Sequence, residues 1–520
     1  MASADAAEYK QVTVLFADVV RSMDMAAALD IERLREIMTE LVNRCAAVVL
    51  RFGGTVDKFT GDGIMALFGA PVALEDHAVR ACLAALDVQK EAVRLAADVE
   101  RRDGISFQLR VGLNSGQVIT GEIGSGSLGY TAVGEQVGMA QRMESVAAPT
   151  GVMLSESTAR LVEHAAVLGE PEWVHIKGAD APVPARRLLG MTSGHVRQRQ
   201  EASLVGRHSE MAALEALVDR ALGGRGGVVN VVGEPGIGKS RAAREAAALA
   251  ASRGFEVVWA FCESHASDIP FHAVRRLLRA LSGVEDLDGP AARIRVRERV
   301  PDADPEDLLL LDDLLGIADP DTPTPAIDPD ARRRRLTALI NTAAEARAAP
   351  ALFIIEDVHW VDAVSESMLA DFLTVIPQTK LMVLITSRPE YEGALTRAPE
   401  AQTIALGALD DSDTTALLGE LLGSDPSVAD LAAVIAERAA GNPFFAEEMV
   451  RELVQRAVLE GERGGYLCRV DVADVAVPAT VQAAIEARID RLSTAAKRTV
   501  NAASVIGARF EAELLAALGI

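Results

Sequence analysis

Cysteine is scarce in this sequence: four residues, Cys45, Cys82, Cys262 and Cys468, stand far apart with no CxxC pair. That spacing excludes a disulfide framework and a thiolate zinc site, and it reads as reduced, structural thiols. The eight histidines show neither HxxxH nor HExxH spacing, which argues against a histidine-held zinc. No run of 18 apolar residues occurs, so no segment is expected to cross a membrane. The opening MASADAAEYKQ lacks the basic start and apolar run of a secretion signal, and a cytoplasmic protein is expected. Positive charge is in the minority: 52 Lys and Arg against 75 Asp and Glu leave a net charge of −23. Such an excess argues against nucleic acid or another polyanion as a partner. The run Arg332–Arg335 is therefore expected to be a solvated helix face.

What is present is the composition of a folded protein, with 49% hydrophobic and 24% charged residues, which excludes disorder along the whole length. At roughly 100–200 residues per domain, about three domains are expected. The polar stretch after Leu189 separates a first domain (1–190) from the rest as a linker (191–202). A second domain is read over 203–400, a region of short Ala/Leu helices over 401–465, and a last segment over 466–520. In the first domain, Val12–Val19 is a short strand-like run, and Ile31, Leu34, Met38, Leu41, Cys45 and Val48 recur at helical spacing. Two strands around the turn Thr60–Gly63, a helix from Asp76, a strand at Gln108–Leu113 and a helix near Gln136 complete the order βαββαβ. That is the order of a ferredoxin-like α+β unit. The second domain has a helix at Ser209–Leu222 and apolar strands at Gly227–Val232, Leu352–Ile355 and Leu381–Thr386, the pattern of a parallel α/β sheet.

Two sets of residues carry chemistry. Asp18 ends the first strand and Asp62 sits in the tight turn Thr60-Gly61-Asp62-Gly63. On neighbouring strands the two carboxylates would meet and could hold two Mg²⁺ or Mn²⁺ ions about 3.5–4 Å apart, the arrangement that drives in-line phosphoryl displacement. Farther on, Gly233-Glu234-Pro235-Gly236-Ile237-Gly238-Lys239-Ser240 fits GxxxxGK[ST] between a strand and a helix. Gly233, Gly236 and Gly238 let backbone N–H groups close on phosphates, Lys239 neutralises the β/γ phosphates of ATP, and Ser240 joins Mg²⁺. The strand in ALFIIEDVHW ends in Glu356 and Asp357, a Walker B form whose two acids divide metal binding and water activation in an order the sequence leaves open. Arg388 ends the next strand as a candidate γ-phosphate sensor.

The segments VTVLFADVVRSM, GGTVDKFTGDGIMALFG, LRVGLNSGQVITGEIGS, YTAVGEQVGMAQRM and VHIKG, in this order over about residues 10–190, resemble the class III nucleotidyl cyclases. The resemblance implies Asp18 and Asp62 as metal ligands and Arg142 as the group stabilising charge at the pentavalent phosphorus. It implies Lys58 and Thr131 as purine readers and Lys177, in a strand Trp173–Gly178, as a triphosphate ligand. Lys58 donates to a ring nitrogen of adenine, where guanine presents a donor, so the expected substrate is ATP. Because the family splits its site across two chains, one such domain per chain implies a homodimer. Where the family usually carries an asparagine one turn before the arginine to orient the ribose, this chain has Gly138.

The segments LVGRHSEMAALEALV, the Gly-rich loop, EDVHWVD, TSRPE and Gly441-Asn442-Pro443 resemble the STAND branch of AAA-related ATPases over about 203–460. The stretch from VPATVQAAIEARID is similar to the opening of their winged-helix domain, and the chain is expected to end inside it. Two readings stay open: an adenylate cyclase regulated by an ATP-binding module, and a weak or inactive cyclase domain serving as sensor or dimerisation module for an ATPase or transcription-regulatory switch.

Overall fold

A computed structural model of the chain describes residues 8–122, 130–178, 181–192, 203–285, 287–398, 400–468 and 479–493, with short pieces up to 504. The chain forms two units, one from residues 1–199 and 476–520, the other from 200–475. The linker 191–202 lies almost entirely outside the described residues, as does most of the proposed winged helix beyond 493.

The first unit runs β1 (Glu8–Val19), α1 (Ser22–Ala28), α2 (Ile31–Arg51), β2 (Thr55–Phe59), β3 (Gly63–Phe68), α3 (His77–Asp103), β4 (Leu109–Glu122), β5 (Tyr130–Val133) and α4 (Glu135–Val146). It continues through β6 (Val152–Ser155), α5 (Glu156–Val162), β7 (Ala166–Leu168), β8 (Glu172–Val174) and β9 (Val183–Met191). The central strand order β2-β3-β1-β4, antiparallel throughout, is the expected ferredoxin-like core. Strand β1 is central in the sheet, and helices cover it on both faces. Leu15, Ala17 and Val19 meet Leu41, Cys45, Val48 and Val88 of α2 and α3, while Val12, Val14 and Phe16 join Met65, Leu67 and Ala140 of α4 on the other face. Local chemistry starts and stops these helices: Asp30 caps α2 by accepting from Arg33 N at 2.8 Å, and Gly104 ends α3 in the left-handed region. Lys177 does not lie in a strand as expected; β8 stops at Val174, and Lys177 enters a turn completed by Gly178 at φ +87°.

The second unit contains α6 (His208–Leu222), β10 (Gly227–Gly233), α7 (Lys239–Ser252), β11 (Glu256–Phe261), α8 (His272–Ser282), α9 (Gly289–Arg299), α10 (Pro305–Leu315) and α11 (Pro329–Ala346). It continues with β12 (Ala351–Glu356), α12 (Ala363–Leu373), β13 (Leu381–Ser387), β14 (Gln402–Leu406), α13 (Asp411–Leu422), α14 (Ala429–Ala439), α15 (Pro443–Gln455), β15 (Leu459–Glu460) and β16 (Leu467–Cys468). Its sheet is parallel in the order β11-β12-β13-β10-β14, which matches the expected α/β class. The small residues Ala242, Ala243, Ala246 and Ala250 let α7 lie close on one sheet face. On α11 Arg334 is exposed, as expected of a solvated face, while Arg332, Arg333 and Arg335 are half-buried and ion-paired. Arg332 meets Asp313 at 2.5 Å, Arg333 meets Asp371 at 3.5 Å and Arg335 meets Asp307 at 2.5 Å. Local acids neutralise the run.

The segment after the second unit contributes α16 (Ala479–Arg491) to the first. Val481 and Ala483 are buried. Asp490 pairs with Lys10 Nζ at 2.7 Å and accepts from Ala73 N at 2.8 Å, and Glu486 accepts from Gln11 N at 2.9 Å. These contacts lie at the end of β1 opposite Asp18.

Candidate active sites

Strand register builds the first site. Asp18 stands opposite Gly63 of β3 and Arg110 of β4. The turn that carries Asp62 is closed by Thr60 N donating to Gly63 O at 3.0 Å. It folds Asp62 back onto Asp18, with Ser22 Oγ donating to Asp62 Oδ2 at 2.5 Å. The Asp18 carboxyl is pushed up to about 7, first by burial, then by the charges of Asp62 and Glu144 and a hydrogen bond with Asp62; Arg110 opposes the shift. Arg110 Nε in turn lies 3.3 Å from Glu144 Oε1. Two crowded, partly buried carboxylates suit a hard divalent cation with oxygen preference. The space beside them exists because position 63 is glycine: a Cβ there would lie 2.6 Å from Asp18 Oδ1.

The other predicted residues of this site are placed apart from that pair. Lys58 lies near the end of β2, half exposed, 3.1 Å from the fully buried carboxylate of Asp57. Thr131 stands in β5 in register with Gly121. Arg142 projects from α4 toward the turn that follows exposed Lys177, and a Cβ on Gly178 would lie 3.7 Å from its guanidinium. Arg142 thus lies beside the turn Lys177–Gly178, and among the described residues no hydrogen bond or ion pair joins Lys58, Arg142 or Lys177 to Asp18 or Asp62. None of Lys58, Arg142 or Lys177 is among the groups that shift Asp18. Position 138 lies on α4 one turn before Arg142, and a Cβ built on Gly138 meets nothing within 4 Å. Sequence reasoning missed Ser22, Arg110 and Glu144. Ser22 arrives at the start of α1, four residues after Asp18, while only the register of β4 and the packing of α4 bring Arg110 and Glu144 to the two aspartates.

The second site is built around one contiguous loop, to which distant strands add their ends. Gly236 and Gly238, at φ +78° and +104°, turn the loop between β10 and α7. Lys239, 7% exposed, donates from Nζ to Gly233 O at 2.7 Å and Glu234 O at 2.9 Å, bridging the loop. Burial lowers its pKa, with Arg388 adding to the shift and Asp357 opposing it. Ser240 Oγ donates to Glu356 Oε2 at 2.5 Å, and burial pushes the Glu356 carboxyl up to about 7. Glu356 is therefore the acid on the Ser240 side. Asp357 takes a left-handed backbone at φ +56°, its N–H donating to Thr386 Oγ1 at 2.9 Å, and its charge acts on both Lys239 and Glu356. Because β13 lies between β10 and β12, Arg388 emerges between the loop and the two acids, its guanidinium 5.8 Å from the Trp360 ring centre. Asn442 backs the loop from outside: its Nδ2 donates to Pro235 O at 3.0 Å while its Oδ1 caps α15. Inward-facing N–H groups, a lysine and a hydroxyl–carboxylate pair can take a Mg²⁺–nucleoside triphosphate.

Residues 4–184 match the adenylate and guanylate cyclase catalytic domain family, 203–385 the AAA ATPase domain family, and 410–465 a domain of unknown function. An uncharacterized protein of Rhizobium meliloti (strain 1021) is 29% identical over 98% of the chain, which spans 50% of that relative's length. Adenylate cyclase 1 of the same organism is 32% identical over 27% of the chain and 21% of its own length. Among solved structures, the guanylyl cyclase Cya2 aligns at 26% identity over 37% of this chain and 98% of its own, with a TM-score of 0.35. Among the described residues no helix is long and apolar enough to cross a membrane.

Proposed function

The chain joins a member of the adenylate and guanylate cyclase catalytic domain family, at residues 4–184, to an AAA ATPase domain at 203–385, and on that premise we propose that it converts ATP to 3′,5′-cyclic AMP and pyrophosphate. The observation that carries the reading is the meeting of Asp18 and Asp62, where burial and mutual repulsion leave a site that calls for positive charge. Two Mg²⁺ or Mn²⁺ ions bound there would supply charge neutralisation around the α-phosphate. In the reaction the ribose 3′-oxygen attacks the α-phosphorus in line and pyrophosphate leaves. Lys58 donates to the adenine ring and Thr131 accepts from its exocyclic amine. Arg142 holds the charge that develops at phosphorus with a planar fork suited to phosphate oxygens, and Lys177 binds the triphosphate. The separation of these groups from the two aspartates supports a homodimer, in which each chain lends Lys58, Thr131 and Arg142 to its partner's aspartates at two equivalent sites.

At the second site Lys239 grips the β/γ phosphates of a second ATP. Glu356 with Ser240 takes the metal side, Asp357 orients water, and Arg388 senses the γ-phosphate. Nucleotide state in this STAND-type module regulates the cyclase. Gly138 favours a second reading, a cyclase domain that binds nucleotide without turnover. Cyclic AMP formation by the full chain in Mn²⁺-ATP, beside Asp18→Ala and Lys239→Ala, separates the two. Product lost in Asp18→Ala and altered in Lys239→Ala is the expected result. No product from the unaltered chain, with ATP binding intact, would leave the sensor reading standing.

A further inference from the structure

The chain between β11 and β12 does more than cross over the sheet. It contributes α8–α11, which with α12 cover one face of the sheet, the face opposite α6 and α7. Inside this cover is a cavity of about 140 Å³. Its wall is apolar: Leu277, Leu281, Leu311, Phe353, Leu369 and Phe372. Protein interiors leave few voids larger than a water molecule. An apolar void of roughly 150 Å³ is known to stay dry and to accept benzene. The cavity therefore has room for an apolar body of about six carbons.

Its mouth is not apolar. Arg347 and Arg299 also line it. Both turn to one carboxylate, Glu256: Arg347 is ion-paired to it, and Arg299 Nη2 lies 3.9 Å from its Oε1. Two guanidinium groups against one carboxylate leave a positive charge over. Arg347 Nε is buried and has no hydrogen-bond partner. A buried donor without a partner is costly, and a planar carboxylate matches the guanidinium fork. We propose that this cavity binds a small apolar carboxylate, of benzoate or hexanoate class, with its hydrocarbon body in the wall of leucines and phenylalanines and its head on Arg347 and Arg299. A nucleotide does not fit this chemistry, since its ribose and phosphates would meet an apolar wall. The site is also separate from the P-loop. Phe353 precedes Glu356 by three strand residues, roughly 10 Å at 3.3 Å per residue.

Calorimetric titration of the full chain with benzoate and with hexanoate, beside acetate and benzyl alcohol, tests this. Saturable binding of the first two, with acetate and benzyl alcohol at least tenfold weaker, is the expected result. Arg347→Gln, which alters the mouth and leaves the wall intact, should weaken benzoate about tenfold or more while ATP binding is unchanged. Ala344→Phe, which fills the cavity, should abolish benzoate binding. If that variant fails to fold, the Arg347→Gln and benzyl alcohol comparisons still decide. Benzoate no tighter than benzyl alcohol, acetate as tight as benzoate, Arg347→Gln without effect in a chain that still binds ATP, or no binding of either acid would each overturn the proposal.

Discussion

The two candidate sites differ in how finished they are within one chain. At the P-loop the polar groups already lean on one another: Lys239 rests on loop carbonyls, Ser240 on Glu356, and Asn442 supports the loop from behind. At the aspartate pair, like charges face each other, with Arg110 as the cation that eases Asp18, while Lys58, Arg142 and Lys177 lie elsewhere. A loop-and-helix motif is assembled by eight consecutive residues, so a single chain can complete it. A site drawn from strand ends and separate turns is completed only by something brought to it: metal, substrate and, on the reading above, a second copy. That difference makes assembly the step at which the cyclase can be controlled.

Five substitutions would break or sharpen this contrast. The largest effect is expected from Asp18→Ala, which should lower cyclic AMP formation by about 10²–10³-fold. Nucleotide binding at the P-loop, measured by calorimetry, should stay as it was; a joint loss would mean that the two sites are not independent. The units should also respond to acid in opposite senses. His77 is buried in the first unit, against Thr13 Oγ1 at 2.7 Å, and burial lowers its pKa to about 4 from an ordinary 6.5. The unfolded state therefore takes up the proton first, and stability present above pH 6.5 is lost as pH falls toward 4. The loss is on the order of 3 kcal/mol. Urea titrations of the chain and of His77→Gln should diverge across that window by that amount. Glu356 has the reverse sign: raised to about 7 from 4.5, it costs stability at neutral pH, and the cost is relieved as pH falls from 7 to 4.5. Glu356→Gln should accordingly be relatively more stable at pH 8 than at pH 5.

Lys239→Ala comes next, weakening ATP at the P-loop about 10–100-fold through the loss of charge-assisted hydrogen bonds. If the modules are coupled, the cyclase rate should change in this variant; a rate insensitive to Lys239→Ala both in ATP alone and with ADP added would show that they are not. The smallest effect, and the most informative about the unfinished site, is Gly138→Asn. The position is open, and glycine within a helix is itself unfavourable by about 0.5–1 kcal/mol. An asparagine placed there should raise turnover about tenfold by holding the ribose. An unchanged rate would show that Gly138 does not limit catalysis.

Much of this is legible in the amino-acid sequence. The P-loop was legible because Gly233–Ser240 is contiguous and its neighbours switch from strand to helix, so local geometry alone sets the phosphate nest. Asp18 and Asp62 were legible as candidates because each lies in a short motif with a strand or turn character of its own. Their partners were not: Arg110 reaches Asp18 only through the pairing of β4 with β1, and Glu144 only through the way α4 crosses that sheet. Lys177 was misplaced into a strand because Trp173 and Val174 are strand formers, whereas the left-handed Gly178 ends the extended run. The arginine run on α11 looked merely solvated, because its acids come from α10, α12 and the connecting turns, far off in sequence.

By itself the amino-acid order determined the class of each unit, the strand–loop–helix that cradles phosphate, and which carboxylates are candidates for metal, because these depend on periodicity and on turns a few residues long. Only the tertiary structure decided which charge faces which. It inserted β13 between the P-loop and the Walker B strand so that Arg388 emerges there, set Glu356 against Ser240, and raised Asp18 by burying it beside Asp62. The physical reason is range. Backbone preference acts over a turn or two, while burial and Coulomb interaction depend on distances that sheet order and register alone set.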